Sequence, residues 1–291
     1  MTLALPRPLG AGGHWGEADA LQRAAMILGL ALLTAALLAP WLAPFDPDDQ
    51  SLIARLRPPL GFEGHRAGHL LGTDELGRDV LSRCLHGLRL TLGLALAGAC
   101  IGLAIGTALG LLAGLARGWV EDLVMAAVDA QIAIPFTLVA LLVLSVFGSS
   151  LTVMVAVLGV AGWEQYARIV RGEVARIRET PFVEAARGVG SSPVQIARRH
   201  VLPVLVSPLV VQFTLALTNI VLLESTLSFL GLGVQPPTAT LGSMVGVGRD
   251  YLPTAPWIVL APALLILLVT FAVQILGDWL RDRADPRIRR R

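Results

Sequence analysis

Asp129, Gln131 and Glu224 stand within or beside long apolar runs. A carboxylate there is costly, and by default it marks a transport pathway or a partnered site. All three are candidate translocation-path residues, and Asp129 with Glu224 is the one pairing that could serve a membrane-embedded enzyme as acid and base. The chain contains neither HExxH nor GxSxG, so that enzyme reading has no motif behind it. His65 and His69 have the spacing of two ligands on one helical face, but Gly64 and Gly68 argue against a helix and no third ligand cluster accompanies them. They read as solvated loop histidines, and no metal or catalytic residue is assigned. Cys84 and Cys100, the only thiols, read as packing residues. All 23 basic residues are arginine. Without a lysine the chain can carry neither a P-loop nor a Schiff base, so any ATP that drives it is bound by another subunit.

The elements that must position these residues are membrane spans. Of 291 residues, 55% are hydrophobic and 15% charged, and the mean hydropathy is +0.70, a bilayer composition. A net charge of +2, dispersed among apolar runs, excludes a nucleic-acid surface. A helix crosses the hydrocarbon with about 20 apolar residues, and roughly six segments qualify. They are Ala24–Ala43, Leu88–Ala116, Leu123–Phe147, Leu151 to about Val170, Val204 to about Leu230, and Ala255–Leu276, with Gly148–Ser150 as the turn after the third. The fold class is all-α integral membrane. An even number of spans puts both termini on one side, and arginine bias makes that side cytoplasmic: Arg168, Arg171, Arg176, Arg178, Arg187, Arg198 and Arg199 precede or occupy one loop, and Arg281, Arg283, Arg287 and Arg289–Arg291 end the chain. The loop from Asp46 to Gly87 is then outside, although it carries Arg55, Arg57, Arg66, Arg78 and Arg83. The resulting order is a cytoplasmic tail (1–23), a first span (24–45), an extracytoplasmic loop (46–87), a transmembrane core (88–280) with a cytoplasmic loop at about 171–203, and a basic tail (281–291) that fixes topology. The N-terminus lacks the basic start and cleavage site of a signal peptide, so the first span is expected to be retained.

Gly98, Gly102, Gly106, Gly110 and Gly114 recur every fourth residue along the second span. They form a side-chain-free groove for another helix, in this subunit or in a neighbouring one. Before it, Val80, Leu81, Cys84, Leu85 and Leu88 share one helical face, and Asp79, Ser82, Arg83 and His86 the other. That pattern predicts a short interfacial helix leading into the span.

Between Thr180 and Pro203 runs "TPFVEAARGVGSSPVQIARRHVLP". Thr180-Pro181 is a hydroxyl N-cap with proline at the first helical position, and Gly190 is a helix stop. Ser192, Pro193 and Gln195 repeat the start signal as a capping box, and Pro203 marks the next boundary. Helix, tight turn, helix is expected on the cytoplasmic side. Ala185, Ala186, Gly188 and Gly190 offer close-approach surface amid apolar Phe182, Val183, Val189, Val194 and Ile196, the shape of a knob for a partner's groove.

Glu184-Ala185-Ala186, Gly190 and Leu202-Pro203 resemble the EAA loop of binding-protein-dependent ABC importer permeases. "LGTDELGRDVLSR" (71–83), "LSFLGLGVQPP" (227–237), "GRDYL" (248–252) and "LGDWLRDRADPR" (276–287) are similar to blocks of its peptide/nickel branch, specifically the dipeptide- and oligopeptide-type C permeases. The resemblance covers nearly the whole chain. It departs at Val204 and Leu241, where asparagine and tryptophan are expected, and His200 is usual only in the peptide branch. The resemblance implies an inner-membrane permease subunit that forms half of a pathway for di- or oligopeptides, with nickel or glutathione as alternative solutes. It implies a homologous second permease, two ATPases that bind ATP and Mg, and an extracytoplasmic solute-binding protein. Glu184, Ala185, Ala186, Gly188, Gly190, His200, Leu202 and Pro203 are then the ATPase-coupling residues, and Asp129 with Pro135 matches a family motif. A passive channel or scaffold would need no such docking loop.

Overall fold

In a computed structural model, residues 20–188, 190 and 192–284 are described. The helices are α1 (Ala20–Leu37), α2 (Ala39–Leu42), α3 (Val80–Ala116), α4 (Trp119–Ala133), α5 (Phe136–Phe147), α6 (Leu151–Val160), α7 (Trp163–Arg178), α8 (Pro181–Gly188), α9 (Pro193–Ile196), α10 (Leu202–Phe229), α11 (Leu241–Gly248) and α12 (Trp257–Ala284). The protein is an all-α integral membrane protein. Among the described residues, five segments are long and apolar enough to cross a bilayer, and α4 with α5 makes a sixth as a broken span. The common core gathers Leu88, Leu94 and Ala99 of α3, Leu144 of α5, Met154 and Leu158 of α6, Val221 and Leu227 of α10, Leu241 of α11 and Val269 of α12.

Three expectations change in the structure. The third span is not continuous: Ile134 is extended ahead of Pro135, as a residue before proline prefers, and α4 and α5 meet at 86°. The fourth runs past Val170 to Arg178 as α6 and α7, jointed at Gly162 with φ +84°, so Arg171, Arg176 and Arg178 are helical and not in a loop. The proposed interfacial helix is the start of the 37-residue α3, and its polar face is not solvated. Asp79, Ser82 and Arg83 are buried at 1%, 0% and 7% exposure beneath the preceding loop. In addition, α11 lies between the last two spans, where periodicity gave no signal. Of the tails, residues 1–19 and 285–291, with Arg287 and Arg289–Arg291, lie outside the described residues. At the end of α12, the Arg283 guanidinium lies 4.4 Å over the Trp279 ring.

The loop ahead of α3 folds around the 71–83 motif. Asp79 caps α3, accepting from the Ser82 backbone N–H at 2.7 Å and the Ser82 hydroxyl at 2.8 Å. Its other oxygen meets His69 Nδ1 at 2.9 Å, and the His69 ring stacks on Phe45 with centroids 4.5 Å apart. His69 is thus a buried structural residue, a correction to the solvated reading; His65 is exposed and contacts its own loop at the Phe62 carbonyl. Arg78 bridges Asp74 (2.7 Å) and Glu75 (2.8 Å), and Arg83 reaches Asp74, Asp48 and the Pro47 carbonyl. Two of the five arginines that counted against an outside location are therefore neutralised within the loop. Gly72 and Gly77 adopt φ +78° and +75° with backbone directly behind them: a Cβ on Gly72 would lie 2.5 Å from the Arg57 carbonyl oxygen, and one on Gly77 would strike that of Ser51. The Trp257 indole N–H donates to the Thr73 carbonyl at 3.0 Å, fastening the loop to α12.

Candidate functional site

Two places carry the candidate residues. The first is an elbow between α7 and α10. It begins differently from the expectation, because the Thr180 hydroxyl donates back to the Ile177 carbonyl and does not cap α8. The Thr180 carbonyl instead accepts from the Val183 and Glu184 N–H groups at 3.0 and 3.2 Å. Gly190 takes φ +85° between the two short helices, the left-handed geometry that glycine tolerates. Ser192 Oγ then accepts from the Gln195 N–H at 3.2 Å, the N-cap bond that the spacing predicts. Pro203 does not interrupt the chain: Ala197–Val201 forms a π-helical turn and Pro203 sits in the first turn of α10.

The elbow has its own apolar floor. Val183 of α8 and Ile196 of α9 are buried with Val170, Val174 and Ile177 of α7 and with Val201 and Leu205, against Leu111 and Leu115 of α3. Glu184, Gly188, Gly190, Leu202 and Pro203 remain exposed on the outside. Ala185 and Ala186 lie on α8 and His200 in the π-helical turn, with their side chains outside the described residues. Val189 lies outside them altogether, as do the side chains of Phe182 and Val194.

Polar ties that the spacing did not reveal hold this elbow to the rest. Arg178 Nη1 donates to the Gly114 carbonyl at 3.0 Å, satisfying a free acceptor at the C-terminal end of α3. Arg171 Nε donates to Glu121 of α4 at 2.6 Å. The signal for both was present only as charge, because their partners are fifty residues or more away in sequence.

The glycine ladder decides between its two readings in favour of packing within the chain. A Cβ on Gly98 would lie 2.9 Å from Leu158 Cβ, on Gly106 2.6 Å from Tyr166 Cβ and against the Trp163 carbonyl, on Gly110 2.7 Å from Val170 Cβ, and on Gly114 2.6 Å from Val174 Cβ. Gly102 faces the Ala161 carbonyl at 3.3 Å. All five face α6, α7 or the joint between them, so α3 and α7 form one tightly joined unit that ends at the elbow.

The second place lies on α4 and α7. Asp129 Oδ1 accepts from Arg168 Nη2 at 2.8 Å. Gln131 donates to the Val160 carbonyl at 3.0 Å and to Glu164 at 2.9 Å, and accepts from the Trp163 indole. Gln212 of α10 donates to Gln165 of α7 at 2.7 Å. Glu224 belongs to a different junction. It is fully buried, its Oε1 accepts from Ser228 at 2.6 Å, and Ser228 accepts from Thr240 at 3.3 Å, while Thr91 of α3 accepts from the Leu241 N–H at 3.1 Å. Asp129 pairs with an arginine and Glu224 with a serine, so the acid–base pairing of an enzyme is not assembled.

Spans around one core, with a buttressed elbow between α7 and α10, define a multi-pass helical membrane protein. A chain of the MetNI methionine ABC transporter shares the fold, with a TM-score of 0.56 at 23% identity, covering 71% of this chain and 96% of that one. The chain belongs to the family described as "Binding-protein-dependent transport system inner membrane component", whose model matches residues 106–290. Residues 21–59 match the N-terminal TM domain of oligopeptide transport permease C. Among its relatives, the di/tripeptide transport system permease protein DppC of Pseudomonas aeruginosa is 40% identical, over 91% of this chain and 87% of that protein. The dipeptide transport system permease protein DppC of Haemophilus influenzae is 35% identical, over 90% and 88%. The glutathione transport system permease protein GsiD of Escherichia coli is 38% identical, over 91% and 86%. The chain is an inner-membrane transport permease subunit.

Proposed function

We propose that this subunit forms half of the translocation pathway of an ABC importer for di- and oligopeptides. Relatives named for di/tripeptide and dipeptide transport, aligned over about nine-tenths of the chain, carry that reading. A homologous permease completes the pathway, two ATPase subunits bind ATP and Mg, and an extracytoplasmic solute-binding protein delivers the substrate. Both termini and the α8–α9 elbow are cytoplasmic, consistent with the arginines of α7 and the elbow. The elbow docks on an ATPase through Glu184, Gly188, Gly190 and the adjoining Ala185 and Ala186, and closure of the ATPases moves it as a rigid body. Its apolar floor supports that role, because a push on α8 is carried into α7 and, through the glycine seam, into α3. Asp129 and Gln131 stand at the pathway; Glu224, closed inside a helix junction, braces it.

Glutathione is the second reading, favoured by the relatives named for it, and it too is a peptide with free termini. The test is uptake of labelled dialanine and of labelled glutathione by cells lacking the protein and by cells in which it is restored. Dialanine uptake lost on deletion and recovered on restoration supports the peptide reading. Unchanged dialanine uptake with lost glutathione uptake replaces it with the second.

A further inference from the structure

Beside the first turns of α3 opens a cleft of about 320 Å³, within the size range of small-molecule sites. Arg83, His86, Leu90 and Gly93 line it, spaced three, four and three residues apart and so aligned down one face of the helix, with Arg89 at their flank. Residues 47–48 and 238–239 make the opposite wall. Both segments are tied to α3: the Pro47 carbonyl accepts from Arg83 Nη1 at 3.1 Å, and the Leu241 N–H, just past the second segment, donates to Thr91 at 3.1 Å. The cleft is therefore held open by the fold of the loops. Its level follows from the helix itself. From Arg89 to Gly114, where Arg178 fastens the elbow's support to α3, the unbroken helix rises about 37 Å, more than the roughly 30 Å of a hydrocarbon core. The cleft thus stands at the membrane face opposite the elbow, the extracytoplasmic face in the topology proposed above.

The charges that line it are unequally matched. Arg83 is only 7% exposed and is committed to Asp74, Asp48 and the Pro47 carbonyl; Asp48, the one carboxylate in the lining, is 3.6 Å from it. Arg89 is exposed and has no hydrogen bond or ion pair among the described residues, so its whole planar fork of N–H donors is unspent. His86 Nδ1 donates to the Ser82 carbonyl at 3.0 Å, which leaves Nε2 available. Deeper along the same face come Leu90 and Gly93, and a Cβ on Gly93 would meet nothing within 4 Å. A free guanidinium fork above an apolar floor without a side chain at Gly93 matches a carboxylate attached to a short apolar group. The volume suits one terminal residue of a solute, whereas a docked protein surface needs a far wider footprint. We infer that this cleft receives the C-terminal residue of the incoming peptide, Arg89 binding the terminal carboxylate and Leu90 with Gly93 seating the last side chain, an assignment that rests on the peptide-importer reading above.

The experiment uses the whole transporter with its partner subunits. Dialanine uptake is measured in reconstituted vesicles with the soluble receptor. The melting temperature is measured without the receptor, in dialanine or in dialaninamide, which lacks the carboxylate. Arg89→Gln, Arg89→Lys and Gly93→Leu are compared with wild type. Dialanine, and not dialaninamide, is expected to raise the melting temperature of wild type. Arg89→Gln and Gly93→Leu lose that rise and lower the maximal uptake rate about tenfold, while the half-saturating concentration, set by the receptor, stays within about twofold. Arg89→Lys keeps the charge without the fork and falls between. Gly93→Leu fills the floor from a position with open space around it, so its loss of uptake is not a loss of fold. Wild-type uptake in Arg89→Gln overturns the assignment, as does a dialanine-dependent rise that survives in that variant or is absent from wild type. Loss of the second permease or of receptor binding in Arg89→Gln overturns it in favour of a contact between proteins. Failure of wild type itself to take up dialanine is the distinct result that removes the peptide-importer reading and this assignment with it.

Discussion

At the scale of single residues, the most legible feature was the 71–83 block, and the least legible was what its charges do. Its glycines and its aspartate before an apolar helix are visible in sequence; that Asp79 holds His69, Ser82 and the start of α3 together is not, because His69 is brought in by the loop's closure. Asp79 is buried and accepts three hydrogen bonds. Asp79→Ala removes a helix cap and leaves buried donors unsatisfied, a loss of about 2 kcal/mol or more. Asp79→Asn keeps an acceptor oxygen and is expected to lose less. Thermal melting in detergent, read together with limited proteolysis of the loop ahead of α3, checks the order wild type, asparagine, alanine. Equal melting of wild type and the alanine variant would contradict this account.

At the scale of elements, small residues decide which helices approach. The four-residue repeat from Gly98 to Gly114 announced a groove, but not what fills it, since α6 and α7 begin only at Leu151 and Trp163. Along the same helix, Gly93 has open space where a Cβ would stand, whereas Gly106 meets the Trp163 carbonyl and Tyr166. Gly106→Leu therefore forces α3 from α7, with overpacking of about 1–3 kcal/mol or more, and Gly93→Leu is expected to be tolerated. The yield of monodisperse protein after membrane extraction distinguishes the two; comparable yields would remove the seam as a determinant of the fold. The same scale accounts for the missed break in the third span. Hydropathy averages over Ile134 and Pro135, while the backbone responds to the proline itself.

At the scale of the whole molecule, the elbow, α7 and α3 make one continuous body, with Arg178 joined to the end of α3 and Val183 seated on the floor beneath. Among the described residues a Cβ on Gly190 would have nothing within 4 Å, and Gly190 itself is exposed, so a bulky side chain there has open space beside it. Gly190→Trp is accordingly expected to insert and extract like wild type, with a left-handed backbone penalty of about 1–2 kcal/mol confined to the turn, and to abolish uptake by obstructing ATPase docking. Normal uptake with this variant would count heavily against the elbow as the coupling element. Taken alone, the amino-acid sequence determined the membrane class, the approximate spans and the two short helices with their glycine turn, all of which depend on hydropathy and on residues within a few positions of one another. It also contained the motif blocks of the family. Only the tertiary structure decided that the glycine groove closes within the chain, that His69 and two loop arginines are internal, that Glu224 is sealed in a helix junction, and that Asp129 meets Arg168. Each of those outcomes is a contact between segments distant in sequence, set by how whole helices pack, and no local pattern encodes it.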